Sequence, residues 1–372
     1  MKIVVTAGGG GHFASALAVM SAMPKTWDVF LIGRKYAFEA DKTISFEYAA
    51  AKTLGITFRS VTAARLQRKF TRHTIPSLFK LPLGFFQAQA ILKEYKPDLV
   101  LSFGGYVSLP VVIAAATLRI PIVVHEQTLK AGLSNSIAAR FAKAICVSWE
   151  SSKSFFPTKK TILTGNPLRL DIMDKVDFFK NQTFEKLPIL YITGGSLGSH
   201  PINMLILDCI EKLLEKYVIV HQTGDAREYK DFDRLLDKKA TLSHVLQSRY
   251  MLTKFIEPGM TGSVIRKATM VIARSGINTV SELLYFGKPA LLIPLQFSQG
   301  NEQVDNAQFF KKQGLGEVFL QDDLTADLLY EHVVSMVTHK DRYEKNKDKA
   351  KTLFLLDAAK HILAVVEKSI YD

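Results

Sequence analysis

The chain has 372 residues, 48% hydrophobic and 22% charged, which excludes a disordered, collagen-like or small disulfide-stapled protein and exceeds one ordinary core, so two domains are expected. Its two cysteines, Cys146 and Cys209, build neither a disulfide framework nor a cysteine zinc cluster and suit a reducing compartment. The net charge of +13 lies wholly in the first part, where residues 1–168 carry 21 Lys and Arg against 8 Asp and Glu while the remainder carries 27 basic and 27 acidic residues, an asymmetry that points that part toward a polyanion or an anionic membrane surface.

Residues 2–6 (KIVVT) read as a short buried strand. Their apolar run is too short for a signal-peptide core, so a cytoplasmic protein is expected. The turn AGGGGH (7–12) leads into the apolar-periodic ASALAVMSAM. This turn has neither the GK[ST] ending of a P-loop nor the spacing of GxGxxG, so its glycines alone mean only flexibility. His12 adds chemistry, because a histidine beside the positive end of a helix is held neutral and can accept a proton. Packing within its own loop is the alternative.

Between residues 59 and 96 the cations Arg59, Arg65, Arg68, Lys69, Arg72, Lys80, Lys93 and Lys96 oppose one acidic residue, Glu94. Phenylalanines and leucines are interleaved with them. Pro76 and Pro82 are expected to interrupt any long helix, leaving Ile75, Leu78, Phe79, Leu81 and Phe85 with Lys80 as an interfacial face for anionic lipid. Core packing of the phenylalanines is the alternative. Nucleic acid would match the charge but gives no reason for the Leu/Phe stretch.

Residues 99–118 run without a charge and meet the length rule for a spanning helix. Ser102, Gly104, Gly105, Ser108 and Pro110 instead divide them into a strand, a glycine turn and a short helix. A strand ending IVVHEQ then places His125, Glu126 and Gln127 at a carboxyl edge, where a ligand site or loop-internal hydrogen bonding both fit. TGNPLR (164–169) sets Arg169 beyond an Asn-Pro turn, within reach of a diphosphate.

The same grammar restarts at residue 188: PILYIT, GGSLGS (194–199), then a long helix. Ser196 is placed to cap that helix or donate to phosphate. TMVIARSGINTVSELL repeats the strand, glycine turn and helix of residues 98–117, with Ser275-Gly276 as the turn and Glu282 on the helix. Glu282 is either a bidentate acceptor for ribose hydroxyls or an exposed helix glutamate. QFSQGNEQVDNA opens another helix, with Glu302, Gln303 and Asn306 able to read a sugar. Strands alternating with helices mean parallel sheets covered on both faces. The expected architecture is therefore α/β, two tandem doubly wound (Rossmann-like) domains: 1–167, a linker at 168–187, 188–350, and a C-terminal helix at 351–372 packing back toward the first domain. No HExxH, zinc-spaced Cys/His pair or DxD pair occurs.

In this order, the glycine loop ending GGH, SFGGYVSLPVVIAA, HEQ with GLSN, TGNPLR, GGSLG, RSG with TVSE and a segment ending NA resemble the MurG family of bacterial glycosyltransferases. The resemblance spans almost the whole chain. It implies the GT-B glycosyltransferase architecture, with acceptor and membrane face in the first domain and the UDP-sugar in the second. The implied reaction is inverting: N-acetylglucosamine passes from UDP-N-acetylglucosamine to the 4-hydroxyl of undecaprenyl-pyrophosphoryl-N-acetylmuramoyl-pentapeptide, for peptidoglycan, at the cytoplasmic face of the membrane. Carried over, Gly9, Gly10, Gly11, Tyr106 and Gln127 meet the acceptor and its diphosphate, and His12, then Glu126, are the base. Thr128, Asn135, Arg169, Gly195, Ser196, Ile256, Met260, Arg274, Ser275, Gly276, Ile277, Asn278, Thr279, Val280, Ser281, Glu282, Glu302 and Gln303 form the donor site. The implied partners are those two substrates and an anionic membrane surface, with no nucleic acid. No cofactor is bound tightly, and any divalent cation is auxiliary. The chain departs from the family pattern in a glycine loop one residue short, in Ser15 for proline, in Thr128 for asparagine, in Glu257-Pro258-Gly259 for an aspartate pair, and in Glu302. Its alternatives are a UDP-N-acetylglucosamine 2-epimerase, a transferase of the same fold acting on another lipid, and a non-catalytic nucleotide-binding membrane adaptor.

Overall fold

A computed structural model describes all residues except 37–43, 64–73, 174–175, 181–185, 196–197, 226–227, 258, 297–300 and 372, with the backbone alone at 74–81 and 170–171. The chain forms two compact units, Met1–Arg169 with Leu355–Asp372, and Leu170–Phe354.

In the first unit the strands are β1 (Lys2–Thr6), β2 (Asp28–Gly33), β3 (Thr57–Ser60), β4 (Leu99–Ser102), β5 (Ile122–Glu126), β6 (Ala144–Val147) and β7 (Thr161–Leu163). They pair in parallel in the order β3-β2-β1-β4-β5-β6-β7. The runs LVLS, IVVHE and AICV are buried at every position, as parallel strands covered on both faces must be. Val4, Val100, Val124 and Ile145 meet Ala88, Leu92, Val111 and Val112 on one face. On the other, Ile3, Val5, Leu101 and Val123 meet Phe13, Val19, Ile362 and Val366.

Ile362 and Val366 belong to the C-terminal helix, Ala358–Tyr371, and burial of each contributes about 1.5–3 kcal/mol. This helix begins later than the sequence pattern suggested, because Asp357 takes a left-handed φ of 59° immediately before it. Lys347–Lys351 is a separate short helix of the second unit.

A second difference concerns Pro76 and Pro82, which do not interrupt the helix Thr74–Tyr95. Pro76 sits in the first turn, where its missing N–H has no partner to lose. Pro82 lies in the interior and is outweighed by burial of Ala88 and Leu92 and by packing on the Ser108–Thr117 helix.

The second unit contains β8 (Ile189–Thr193), β9 (Val218–Gln222), β10 (Tyr250–Thr253), β11 (Met270–Ala273), β12 (Ala290–Leu292) and β13 (Gly316–Val318), parallel in the order β10-β9-β8-β11-β12-β13. Part of the stretch read as a linker belongs to this unit. The turn Leu170–Met173 abuts the helix Thr261–Lys267, and the Phe178 N–H donates to Ser263 Oγ at 2.9 Å.

Strand order reverses between β1 and β4 and again between β8 and β11. At such switch points the loops diverge and leave room for a ligand beyond the strands' carboxyl ends. All four glycine turns singled out in the sequence follow these four strands. Residues 99–118 form β4, its turn and a helix, and among the described residues no helix is long and apolar enough to cross a membrane.

Candidate active site

In the first unit β1 runs into Gly8, whose N–H donates to the Gly104 carbonyl at 3.0 Å. This joins the turns after β1 and β4. Gly105 has a φ of 82°, and a Cβ there would lie 2.8 Å from Gly8 Cα, so a side chain is excluded on both counts. The helix Gly9–Ser21 starts within the glycine run, earlier than the pattern suggested, with no side-chain cap and no acidic residue in its first turn. Its positive end therefore faces the turn.

His12 lies in that first turn. Burial of its ring holds the pKa below the ordinary value, opposed by the nearby Glu126 carboxylate and the Phe103 carbonyl. Its Nδ1 is buried and has no partner among the described residues. The ring is neutral at neutral pH and ready to take a proton.

Glu126 ends β5, fully buried. Its Oε1 accepts from the Thr128 N–H at 2.9 Å and the Thr128 hydroxyl at 2.7 Å. Its Oε2 accepts from the Gly132 N–H at 2.9 Å and Asn135 Nδ2 at 3.0 Å. Thr128, Gly132 and Asn135 thus hold both carboxylate oxygens in place. The geometry suits a fixed anion beside His12 better than the second base the sequence suggested. Thr128 and Asn135, expected at the donor sugar, are committed here; the Asn135 amide also donates to the His125 carbonyl at 3.1 Å.

His125 is buried, which pushes its pKa down to about 4. Its Nε2 lies 3.3 Å from the Gly165 carbonyl and 3.2 Å from Ser148 Oγ, while Nδ1 has no partner among the described residues. Gln127 accepts from the Ser15 hydroxyl at 2.8 Å, and Ser15 Oγ also stands 3.3 Å from Asn166 Oδ1. The serine found in place of proline thus ties the β5 loop to the TGNPLR turn, whose Arg169 is half-buried. Tyr106 carries the Arg34 guanidinium over its ring at 5.0 Å and bonds it through its hydroxyl. Sequence reasoning passed over Arg34, Ser15 and Asn166 as ligand-site neighbours, since nothing local marks contacts that span the fold.

Of the expected membrane face, Phe85 packs against the core and meets Phe86 edge-on at 5.2 Å. The side chains of Ile75, Leu78, Phe79, Lys80 and Leu81 lie outside the described residues. Leu83 and Phe86 are 51% and 63% exposed.

In the second unit the turn after β8 is held by the Gly195 N–H, which donates to Thr193 Oγ1 at 3.0 Å. Ser196 lies outside the described residues. The N-cap of the helix His200–Leu214 is Ser199, whose side chain makes no capping bond. Ser199 Oγ instead accepts from Arg274 Nε at 3.0 Å. Gly198 at φ 77° passes so close to β9's exit that a Cβ would lie 2.0 Å from the Thr223 carbonyl.

Arg274 also donates to the carbonyls of Ile293 and Pro294 and to Gln321 Oε1. Expected at the donor, it brackets three turns of its own unit. Ser275 Oγ donates to the Gln303 carbonyl at 2.7 Å, and Asn306 Nδ2 donates to the Ser275 carbonyl at 3.1 Å. Gln303 Oε1 accepts from the Leu295 N–H. The helix Ile277–Phe286 has Gly276 as N-cap with no side-chain cap, no acid in its first turn, and open space around Gly276 Cα. The positive end of this helix faces its turn, as in the first unit. Ile277 and Val280 are buried, Ser281 bonds back to the Ile277 carbonyl, and Asn278, Thr279 and Glu282 are half-buried. Ile256 is buried, Met260 caps the helix Thr261–Lys267, and Glu302 opens the helix Glu302–Lys312.

This geometry can be set beside known proteins. The Glycosyltransferase family 28 N-terminal domain matches residues 3–147 and the Glycosyltransferase family 28 C-terminal domain residues 189–362. A Treponema denticola protein named UDP-N-acetylglucosamine–N-acetylmuramyl-(pentapeptide) pyrophosphoryl-undecaprenol N-acetylglucosamine transferase is 35% identical over 88% of this chain and 86% of its own length. The Staphylococcus saprophyticus protein of the same name is 33% identical over 95% of each. Among solved structures, MurG of Acinetobacter baumannii superposes with a TM-score of 0.73 at 25% identity over 99% of this chain and 100% of its own. The UDP-GlcNAc 2-epimerase of Neisseria meningitidis, at 16% identity and a TM-score of 0.65 over 99% of this chain and 100% of its own, shares the fold. The chain belongs to glycosyltransferase family 28, in its MurG group.

Proposed function

We infer that this protein transfers N-acetylglucosamine from UDP-N-acetylglucosamine to undecaprenyl-pyrophosphoryl-N-acetylmuramoyl-pentapeptide, with inversion at the anomeric carbon. The observation that carries this is the likeness, across nearly the full chain, to relatives named for that transfer. Support comes from a helix that starts at a glycine N-cap at the switch point of each unit, Gly8 in the first, where Glu47 holds the first amide, and Gly276 in the second.

In the first unit His12 takes the proton of the attacking 4-hydroxyl, a role worth roughly 10² to 10⁴-fold. Glu126 fixes the β5 loop and favours the imidazolium that forms. Gly10 and Gly11, with Tyr106 and Gln127, receive the acceptor. In the second unit the amides behind Gly276 and Gly195, with Ser196, stabilise charge growing on the leaving UDP. Glu282 accepts from the ribose, Ile256 and Met260 flank the uracil, and Gln303 contacts the sugar. Leu83 and Phe86, with the segment 75–81, its Lys80 and the cations flanking it in sequence, seat the protein on the cytoplasmic leaflet as a peripheral protein.

The test is UDP release from UDP-N-acetylglucosamine with and without the lipid-linked muramoyl-pentapeptide. Release that requires the lipid is expected. Acceptor-independent turnover to a 2-epimer would replace this reading with an epimerase.

A further inference from the structure

We propose that Glu47 is a positioning residue that sets the shape and charge of the glycine turn at the acceptor site, with Arg34 as its counterion. This rests on the acceptor reading above. Glu47 is the second residue of the helix Phe46–Leu54 and only 2% exposed. Its Oε1 accepts from the Gly9 N–H at 3.0 Å, across 38 residues of chain. Arg34 Nη2 stands 3.7 Å from the same oxygen.

The same short stretch of chain reaches the other glycine turn, because the Arg34 guanidinium lies over and bonds Tyr106. Its own anchor is Ser45, the helix N-cap, which accepts from the Tyr48 N–H at 3.1 Å and donates to the Arg34 carbonyl. The turns after β1 and β4 are thus gripped together by one carboxylate and one guanidinium.

Two consequences follow from elementary electrostatics. The helix Gly9–Ser21 has no cap of its own, so a remote carboxylate supplies the acceptor for its first amide. That amide is engaged by the protein and is not a ligand for substrate. A buried negative charge at a turn that receives a diphosphate repels it, and the adjacent guanidinium cancels this. Arg34 therefore acts on the turn's charge through Glu47, beside its direct hold on Tyr106.

The experiment combines steady-state kinetics with hydrogen exchange on the full-length protein. Glu47→Ala is expected to raise the acceptor KM about 10 to 150-fold, the range for losing a hydrogen bond to a charged group, with donor KM unchanged and faster exchange across residues 8–13. Glu47→Gln, which keeps an oxygen for Gly9, should stay within about threefold of wild type in both. Arg34→Leu is expected to raise the acceptor KM about tenfold, and adding Glu47→Gln to it should restore most of that loss. Wild-type exchange in Glu47→Ala, equal rises in both KM values, or an Arg34→Leu defect untouched by Glu47→Gln would overturn the proposal. Should Glu47→Ala fail to fold, the Arg34→Leu pair decides the matter. If wild type shows no acceptor-dependent UDP release, the transfer reading fails, and exchange across the turn still decides whether Glu47 positions it.

Discussion

The two units repeat one grammar of strand, glycine turn and helix at their switch points, yet they use polar groups in opposite ways. In the first, Glu126 and Glu47 are buried anions held by the protein's own donors, and His12 Nδ1, His125 Nδ1 and Asn135 Oδ1 are buried without partners among the described residues. In the second, the buried histidine is fully engaged: His221 meets the Tyr250 hydroxyl at 2.9 Å and Asn203 Oδ1 at 3.1 Å. Asn203 in turn donates to Asp231, which holds His200 at 2.6 Å. The contrast lies in the buried histidines, since the second unit also holds a buried oxygen, Asn306 Oδ1, without a partner among the described residues; a buried ring with an unengaged nitrogen is a group that can take part in chemistry. In the second, Arg274 and Asn306 bind turns of their own unit.

Breaking the first unit's anion cage should have the largest effect. Glu126→Ala removes the acceptor of the buried Thr128 N–H and Asn135 amide and of the part-buried Gly132 N–H, at about 1–3 kcal/mol each, so the first unit should lose about 3 kcal/mol or more while UDP binding to the second survives. Glu126→Gln, which still offers a carbonyl oxygen, should lose less. Chemical denaturation followed by unit-resolved hydrogen exchange checks this, and an unchanged midpoint in Glu126→Ala would mean the cage is incidental.

Acid acts on the buried histidines, His125 and His221 most strongly. Burial holds His125 near pKa about 4 and His221 near about 3. Both are neutral when folded, so the unfolded chain binds protons first as pH falls below the ordinary value of about 6.5. Their stability contributions are complete above that pH and lost on acidification, down to about pH 4 for His125 and about pH 3 for His221. At about 1.4 kcal/mol per pH step, roughly 3 kcal/mol is lost through His125 and roughly 5 through His221, and His12, also held below its ordinary value by burial, adds to the first unit's loss. Exchange protection measured from pH 7 downward should fall in both units; protection in either that is unchanged down to about pH 4 would mean that its histidines are not held neutral by burial.

On the donor side, Glu282→Ala should raise the UDP-N-acetylglucosamine KM by about 10 to 150-fold, or 1.5–3 kcal/mol, and Glu282→Gln by less. An unchanged donor KM in both would place Glu282 outside the site. The smallest effects belong to the membrane face. Leu83→Ser with Phe86→Ser should weaken sedimentation with anionic vesicles, and salt should weaken wild type by screening about 1 kcal/mol per basic group. Binding indifferent to lipid charge would detach the basic excess from the membrane.

Much of this was legible in the residues. Apolar runs such as LVLS and MVIA, each followed by a glycine turn, announce parallel strands because both faces are buried. Within a unit, contacts between neighbours in sequence were also readable: the Glu126 cage is built from residues 128–135, and loop-internal bonding was one of its two readings. What escaped depends on distant chain. Glu47 meets Gly9 across 38 residues, and Arg274 is bound by turns after three different strands. Pro82 was read as a helix breaker because its local cost is visible in the sequence and the packing that outweighs it is not.

The division of labour between the units is tested most directly by His12→Ala, with UDP binding measured by calorimetry and turnover by UDP release in the presence of the lipid acceptor. A base that acts in the transition state and holds no nucleotide predicts an unchanged UDP Kd and a kcat lower by roughly 10² to 10⁴-fold. A kcat within about threefold of wild type, or a UDP affinity that falls in step with kcat, would contradict it.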